Sequence, residues 1–185
     1  MKYKICVSGA ADGCCLTRST IEKARKIGKR LAQRDCVVIT GATSGLPHFA
    51  ALGAREEKGV SIGFSPAISK KEHVRKYKLP TEGMDLIIYT GFGYSGRNLL
   101  MVRSAEAVIL VCGRIGTLNE FTNAFEEDKP IGVLVGSGGM ADEIQRIIDI
   151  ADKGSGDVLY DSDPIKLVDR LVRHLDEKHS EILND

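Results

Sequence analysis

Ala107-Val108-Ile109-Leu110-Val111-Cys112-Gly113-Arg114-Ile115-Gly116-Thr117 starts as an unbroken apolar run and ends in a glycine-bearing turn. A strand with one wet face alternates apolar and polar residues, whereas a strand covered on both faces does not. Val108–Val111 lacks the alternation and reads as an interior strand of a parallel sheet. Working outward, similar short runs predict strands at Tyr3–Val7, Cys36–Thr40, Val60–Phe64, Leu86–Thr90 and Ile131–Val135, with a short one over Val158–Tyr160. Longer amphipathic stretches predict helices at Ser19–Arg34, Pro47–Lys58, Arg97–Ala105, Thr117–Glu127, Ala141–Ala151 and Pro164–Leu175. On the first helix Ile21, Ala24, Ile27, Gly28 and Leu31 share a face, and Ser19 with Glu22 has capping-box spacing. The rhythm predicts an α/β fold: a doubly wound, mainly parallel, Rossmann-like sheet of about six or seven strands with helices on both faces. Residues 65–82 read as a long charged connection, and the polar tail from Asp176 to Asp185 as a fraying end. No repeat or linker interrupts residues 1–185, so one domain is expected.

Composition narrows the function. The chain has 185 residues, 26 Lys plus Arg against 25 Asp plus Glu, and a net charge of +1, which excludes a globally basic nucleic-acid binder. Aromatic residues make up 5% and Trp is absent, which argues against a stacking platform for single strands, so no nucleic-acid partner is expected. No apolar run reaches membrane-spanning length and the N-terminal one is too short for a signal peptide, so a cytoplasmic location without a membrane partner is expected. The five cysteines, Cys6, Cys14, Cys15, Cys36 and Cys112, show no C-x-x-C spacing and read as reduced thiols, Cys14–Cys15 as a vicinal pair. The histidines lack ligand spacing: His48 reads as a helix-start residue and His73, His174 and His179 as surface residues. No metal site is expected.

Ligands of open α/β sheets bind outside the carboxyl ends of the strands. Those ends read Ser8-Gly9, Thr40-Gly41, Thr90-Gly91, Cys112-Gly113 and Val135-Gly136. Glycine admits close backbone approach, and a following helix N-terminus favours an anion, so the set suggests a phosphate-bearing ligand. Tight strand-to-helix turns also need glycine for themselves. Gly91-Phe92-Gly93-Tyr94-Ser95-Gly96 matches the dinucleotide fingerprint, but at the fourth strand, and no ribose-binding acid ends the next strand. Arg114 there could meet a 2′-phosphate, which leaves an NADP-dependent oxidoreductase as a third reading. Gly41–Gly45 is followed by Leu46-Pro47, so it is no P-loop. The sharper constellation is Gly113-Arg114-Ile115-Gly116-Thr117-Leu118-Asn119-Glu120. Its turn can seat a phosphate beside a carboxylate, although Thr117-x-x-Glu120 also has the spacing of a purely structural capping box, the plainer account on spacing alone.

Gly116-Thr117-x-x-Glu120 after an apolar strand resembles the P-G-G-x-G-T-x-x-E motif of the LOG-like (SLOG) superfamily. Its members are often labelled "possible lysine decarboxylase" and are related to the DNA-processing DprA proteins. Gly96-Arg97-Asn98, Ser104–Ile109, the loop Thr40-Gly41-Ala42-Thr43-Ser44-Gly45-Leu46 and the segment Ala51–Pro66 match further family segments, to about residue 135. Thr90-Gly91 before Arg97-Asn98 looks closer to the branch with the molybdenum-cofactor carrier proteins. Cys112, Arg114, Asn98 and Thr40 stand where the motifs of the LOG enzymes have Pro, Gly, Lys and Gly.

The resemblance implies a nucleotide-binding protein without a cofactor. It implies either a phosphoribohydrolase that cleaves the N-glycosidic bond of a nucleoside 5′-monophosphate, or a non-catalytic carrier or sensor of a phosphorylated ligand. Arg97 and Glu120 correspond to the catalytic pair. Gly113, Arg114, Ile115, Gly116 and Thr117 would hold phosphate. Ser8, Gly9, Gly41, Thr43, Ser44, Gly45 and Asn98 would line the nucleotide site, with base contacts from loops 8–18 and 65–82. Family members form homo-oligomers, so a dimer or tetramer is implied.

Overall fold

The computed structural model of the chain describes residues 3–13 and 15–184. Seven strands form one sheet: β1 (Lys4–Gly9), β2 (Val37–Thr40), β3 (Ser61–Ser65), β4 (Leu86–Tyr89), β5 (Ala107–Val111), β6 (Ile131–Leu134) and β7 (Val158–Asp161). Every neighbouring pair is parallel and the order is β4-β3-β2-β1-β5-β6-β7. The helices are α1 (Arg18–Gln33), α2 (Leu46–Glu56), α3 (Lys70–Arg75), α4 (Gly93–Arg103), α5 (Ile115–Glu126), α6 (Ile144–Ala151) and α7 (Pro164–Asn184).

The unbroken apolar run of β5 is explained by two cores. Ala107, Ile109 and Val111 join one side with α1, α2 and α7, through Ala24, Ile27, Leu31, Leu46, Ala50, Leu167 and Leu171. Val108 and Leu110 join the other with α4, α5 and α6, through Met101, Phe121, Ala124 and Ile144. Helix α1 lies almost against α2: a Cβ on Gly28 would fall 1.8 Å from the Ala50 carbonyl oxygen.

Several local expectations are corrected. Helix α1 is capped by Thr17, whose hydroxyl accepts from the Thr20 N–H at 3.1 Å while Thr20 Oγ1 accepts from the Thr17 N–H. Ser19 and Glu22 therefore do not form the box. The 65–82 connection contains α3, capped by Ser69. His73 of α3 is fully buried rather than at the surface. Its ring nitrogens bond to Ser65 Oγ and the Pro80 carbonyl, both at 2.8 Å, which folds the connection back onto the end of β3. His174 is half-buried and pairs with Asp157. The region after Asp176 continues α7 to Asn184. Cys15 and Cys112 form a disulfide, against the expectation of reduced thiols throughout; Cys14 lies outside the described residues. No helix among the described residues is long and apolar enough to cross a membrane.

Candidate functional site

The chain runs outward from β1 to β4 and then returns to place β5 beside β1. A crevice must open at the carboxyl ends of β1 and β5, where the helices leave in opposite directions. A cavity of about 610 Å³ lies there, reached by the β1–α1 loop, the β2–α2 loop, the start of α4 and the start of α5.

At its floor are three side chains from three elements. Ser8, near the end of β1, donates from Oγ to Glu120 Oε2. Arg97 of α4 lies with Nη1 at 3.5 Å from Glu120 Oε1. All three are buried, at 1%, 7% and 3% exposure. Burial pushes the Glu120 carboxyl above the usual range, against the opposing pull of the Arg97 charge and the Ser8 hydrogen bond. Burial also lowers the Arg97 guanidinium, which stays charged as arginines do. The Arg97 group lies 5.8 Å from the centre of the Tyr94 ring. Asn98 donates from Nδ2 to Asn119 Oδ1 at 2.9 Å, and its own Oδ1 is buried without a partner.

The wall beside this floor is the opening turn of α5. Arg114 is its N-cap residue and no side chain caps the helix, so Ile115, Gly116 and Thr117 present an uncapped helix end to the cavity. Thr117 is the third helical residue and Glu120 turns toward Ser8 and Arg97, so the capping-box reading of Thr117-x-x-Glu120 is overturned. Cys112 enters the turn at φ 54°, a conformation closed to proline, so its replacement of the motif's Pro also alters the backbone path. The turn is braced from behind. The Cys112 N–H donates to Ser137 Oγ at 2.7 Å, and the Cys112 and Gly113 carbonyls accept from Ala141 and Met140. At the mouth Arg114 pairs with Asp12 of the β1–α1 loop at 2.5 Å, with both side chains largely exposed.

Of the residues singled out from sequence, Ser8, Gly9, Gly41, Thr43, Ser44, Arg97, Asn98, Arg114, Ile115, Gly116, Thr117 and Glu120 all line the cavity. Gly45 and Gly113 stand behind the lining. A Cβ on Gly45 would fall 2.3 Å from the Ala10 carbonyl, and one on Gly113 would fall 2.2 Å from Thr117 Oγ1, so both serve backbone packing. The G-x-G-x-x-G stretch follows β4, the outer strand of the sheet, with Gly93 and Gly96 inside α4. It does not form the phosphate turn of a dinucleotide site at β1, and what it brings to the cavity is Tyr94 and Ser95. Tyr77, Lys78 and Leu79 enter from the 65–82 connection, and Tyr77 packs edge-on to Tyr94 at 5.5 Å. Three further lining residues, Tyr94, Asn119 and Tyr77, have no motif role of their own. Tyr94 lies inside the glycine fingerprint and Asn119 beside Glu120, whereas no local pattern marks Tyr77. Among the described residues no three His, Cys, Asp or Glu side chains gather as a metal site.

The sequence model of the SLOG cluster4 family matches residues 2–168, nearly the whole chain. The chain belongs to the SLOG cluster4 family. This SLOG protein is 30% identical over 115 residues, 62% of its length, to an uncharacterised protein of Archaeoglobus fulgidus, of which 70% is covered. In structure it is similar to the molybdenum cofactor binding protein of Rippkaea orientalis, at 26% identity and TM-score 0.75, over 95% of this chain and 98% of that one. It is equally similar to the molybdenum cofactor carrier protein of Chlamydomonas reinhardtii, at 25% identity and TM-score 0.75, over 95% and 99% of the two chains.

Proposed function

We propose that this SLOG cluster4 protein binds a nucleoside 5′-monophosphate, or a closely similar phosphate ester, and hydrolyses its N-glycosidic bond. The observation that carries the reading is the buried Ser8–Glu120–Arg97 group, held beside an uncapped helix end in one cavity. The phosphate rests on the first turn of α5, where backbone N–H groups and the helix dipole meet an anion. In this pose the sugar lies over Glu120. Water adds to C1′ as the C1′–N bond breaks, and the bonding pair leaves with the base. Glu120 takes the proton from the attacking water, and a proton from solvent completes the free base. A carboxylate held upward by burial is a stronger base for this step, and its negative charge stabilises the oxocarbenium-like sugar. Arg97 pulls the Glu120 carboxyl back toward its ionised form and orients it.

Arg114 favours a second reading, a carrier or sensor of a more anionic ligand, because its exposed guanidinium at the cavity mouth could exchange its ion pair with Asp12 for a ligand anion. The likeness to molybdenum cofactor binding and carrier proteins over nearly the full chain supports the same reading. Incubation with AMP, GMP, CMP, UMP and IMP, with chromatography for free base, separates the two. Base release that is lost in Glu120→Gln supports the hydrolase. No release from any nucleotide, together with a raised melting temperature, supports the carrier. We propose further that the protein is a homo-oligomer, because Leu86 and Ile88 of the edge strand β4 and Leu99 and Leu100 of α4 leave apolar side chains exposed. Light scattering checks this.

A further inference from the structure

The cavity has one covalent tie that the proposed chemistry does not use. Cys15, at the far end of the β1–α1 loop, is bonded to Cys112, the first residue of the phosphate-side turn, across 97 residues of sequence. The segment between β1 and Cys15 supplies Ala10, Ala11 and Asp12 to the cavity wall. Its other ties are non-covalent. The Leu46 N–H donates to the Ala10 carbonyl at 2.9 Å, Ser44 Oγ donates to the Ala11 carbonyl at 3.0 Å, and Asp12 pairs with Arg114. The two cysteines differ in what holds them. The Cys112 backbone is fixed by Ser137 and Ala141 whatever the state of its sulfur. Cys112 is fully buried, while Cys15 is only partly buried; it packs against the edge of the core, and its carbonyl accepts from Thr20 Oγ1.

We propose that the Cys15–Cys112 disulfide is a thiol–disulfide exchange site, with a dithiol as its co-substrate, and that its reduction releases the Ala10–Asp12 wall of the cavity. A thiolate of the reductant attacks the sulfur of Cys15, the less buried of the two residues. The S–S bond breaks, and the Cys112 sulfur leaves with the bonding pair and takes up a proton. The second thiol of the reductant then attacks the mixed disulfide, frees the Cys15 thiol and leaves the reductant as its own disulfide. Two electrons and two protons pass to the protein. The turn that carries Gly113–Thr117 stays braced, so reduction loosens one side of the cavity and leaves the other in place. A disulfide that holds a loop in its bound form raises affinity by removing the cost of ordering it. In a reducing compartment such a bond is transient and suits sensing, whereas in an oxidising one it stands. The effect on affinity rests on the ligand reading above, while the clasp itself does not.

The test compares the full-length protein before and after dithiothreitol. It reads the alkylated thiols by intact mass, amide hydrogen exchange over residues 10–15, and AMP affinity by titration. The expected result is two more alkylated thiols after reduction, faster exchange confined to that loop, and AMP binding weaker by about tenfold. Cys14→Ser/Cys15→Ser is expected to behave as the reduced protein without any reductant. Equal thiol counts, or unequal counts with unchanged loop exchange, would overturn the proposal. If AMP binds neither form, the ligand reading fails, and the thiol counts and exchange rates still decide the clasp.

Discussion

Gly41 stands where any side chain would collide with Arg97: a Cβ built on it would fall 1.9 Å from Arg97 Nη1. The glycine at the end of β2 therefore serves a neighbouring side chain rather than its own turn. Removing the Cβ lets the guanidinium lie flat against the strand end and reach Glu120.

Gly41→Ala is expected to push Arg97 off Glu120 and to abolish both AMP binding and base release. The overpacking should cost about 1–3 kcal/mol of stability. A denaturant melt and a nucleotide titration check both effects. An alanine variant that binds AMP as tightly as wild type would remove Arg97 from the site.

Glu120→Gln leaves a buried arginine without its carboxylate, so it should lose about 3 kcal/mol of stability as well as 10²–10⁴-fold of any base release, each an order-of-magnitude expectation. The double change Arg97→Met/Glu120→Leu removes both charges and should regain most of that stability while staying inactive. Melts of the single and double variants give the comparison. Recovery of stability without recovery of function marks the pair as kept for its chemistry.

The upward shift of Glu120 has a definite sign in pH. Its carboxyl binds a proton more readily in the folded than in the unfolded chain. Between the ordinary value of 4.5 and the raised native one, the folded state therefore holds more protons, and this group's contribution to stability falls as pH rises. Below that window both states are protonated and the contribution is level. Base release needs the ionised form, so its acid limb should lie above the ordinary carboxylate range. Glu120→Gln should flatten the stability slope, measured by melts across the window.

His73 holds the connection that carries Tyr77, Lys78 and Leu79 into the cavity, yet it does not line the cavity itself. His73→Ala removes two buried hydrogen bonds and leaves a void, at a cost of about 2–4 kcal/mol. Faster hydrogen exchange over residues 70–82 and weaker AMP binding are expected together. Unchanged exchange there would show that the segment is held by other contacts.

The sheet, its parallel strands and the glycine-ended carboxyl edge were legible along the chain, because burial on two faces and the period of a helix leave local patterns. The G-T-x-x-E stretch marked Glu120 and its neighbourhood, and Gly96-Arg97-Asn98 marked Arg97. Twelve of the fourteen residues expected at the site line one cavity. Some errors are local, as where Thr17 and Thr20 rather than Ser19 and Glu22 cap α1, and others come from distant contacts. Thr117-x-x-Glu120 has the spacing of a cap, and only the approach of Ser8, 112 residues away, shows that the carboxylate turns elsewhere. Nothing local marks His73 as buried, since the Ser65 and Pro80 partners that satisfy its ring are brought to it by folding.

The sequence by itself determined the seven strands, every helix but α3, and which strand ends carry the proposed ligand chemistry, since those depend on residues a few positions apart. Tertiary structure alone decided that β5 returns beside β1. That return joins Ser8, Arg97 and Glu120 from separate elements and brings Cys15 to Cys112 across 97 residues. The physical reason is that chain crossing and close packing act between residues far apart in sequence, where no periodicity records them.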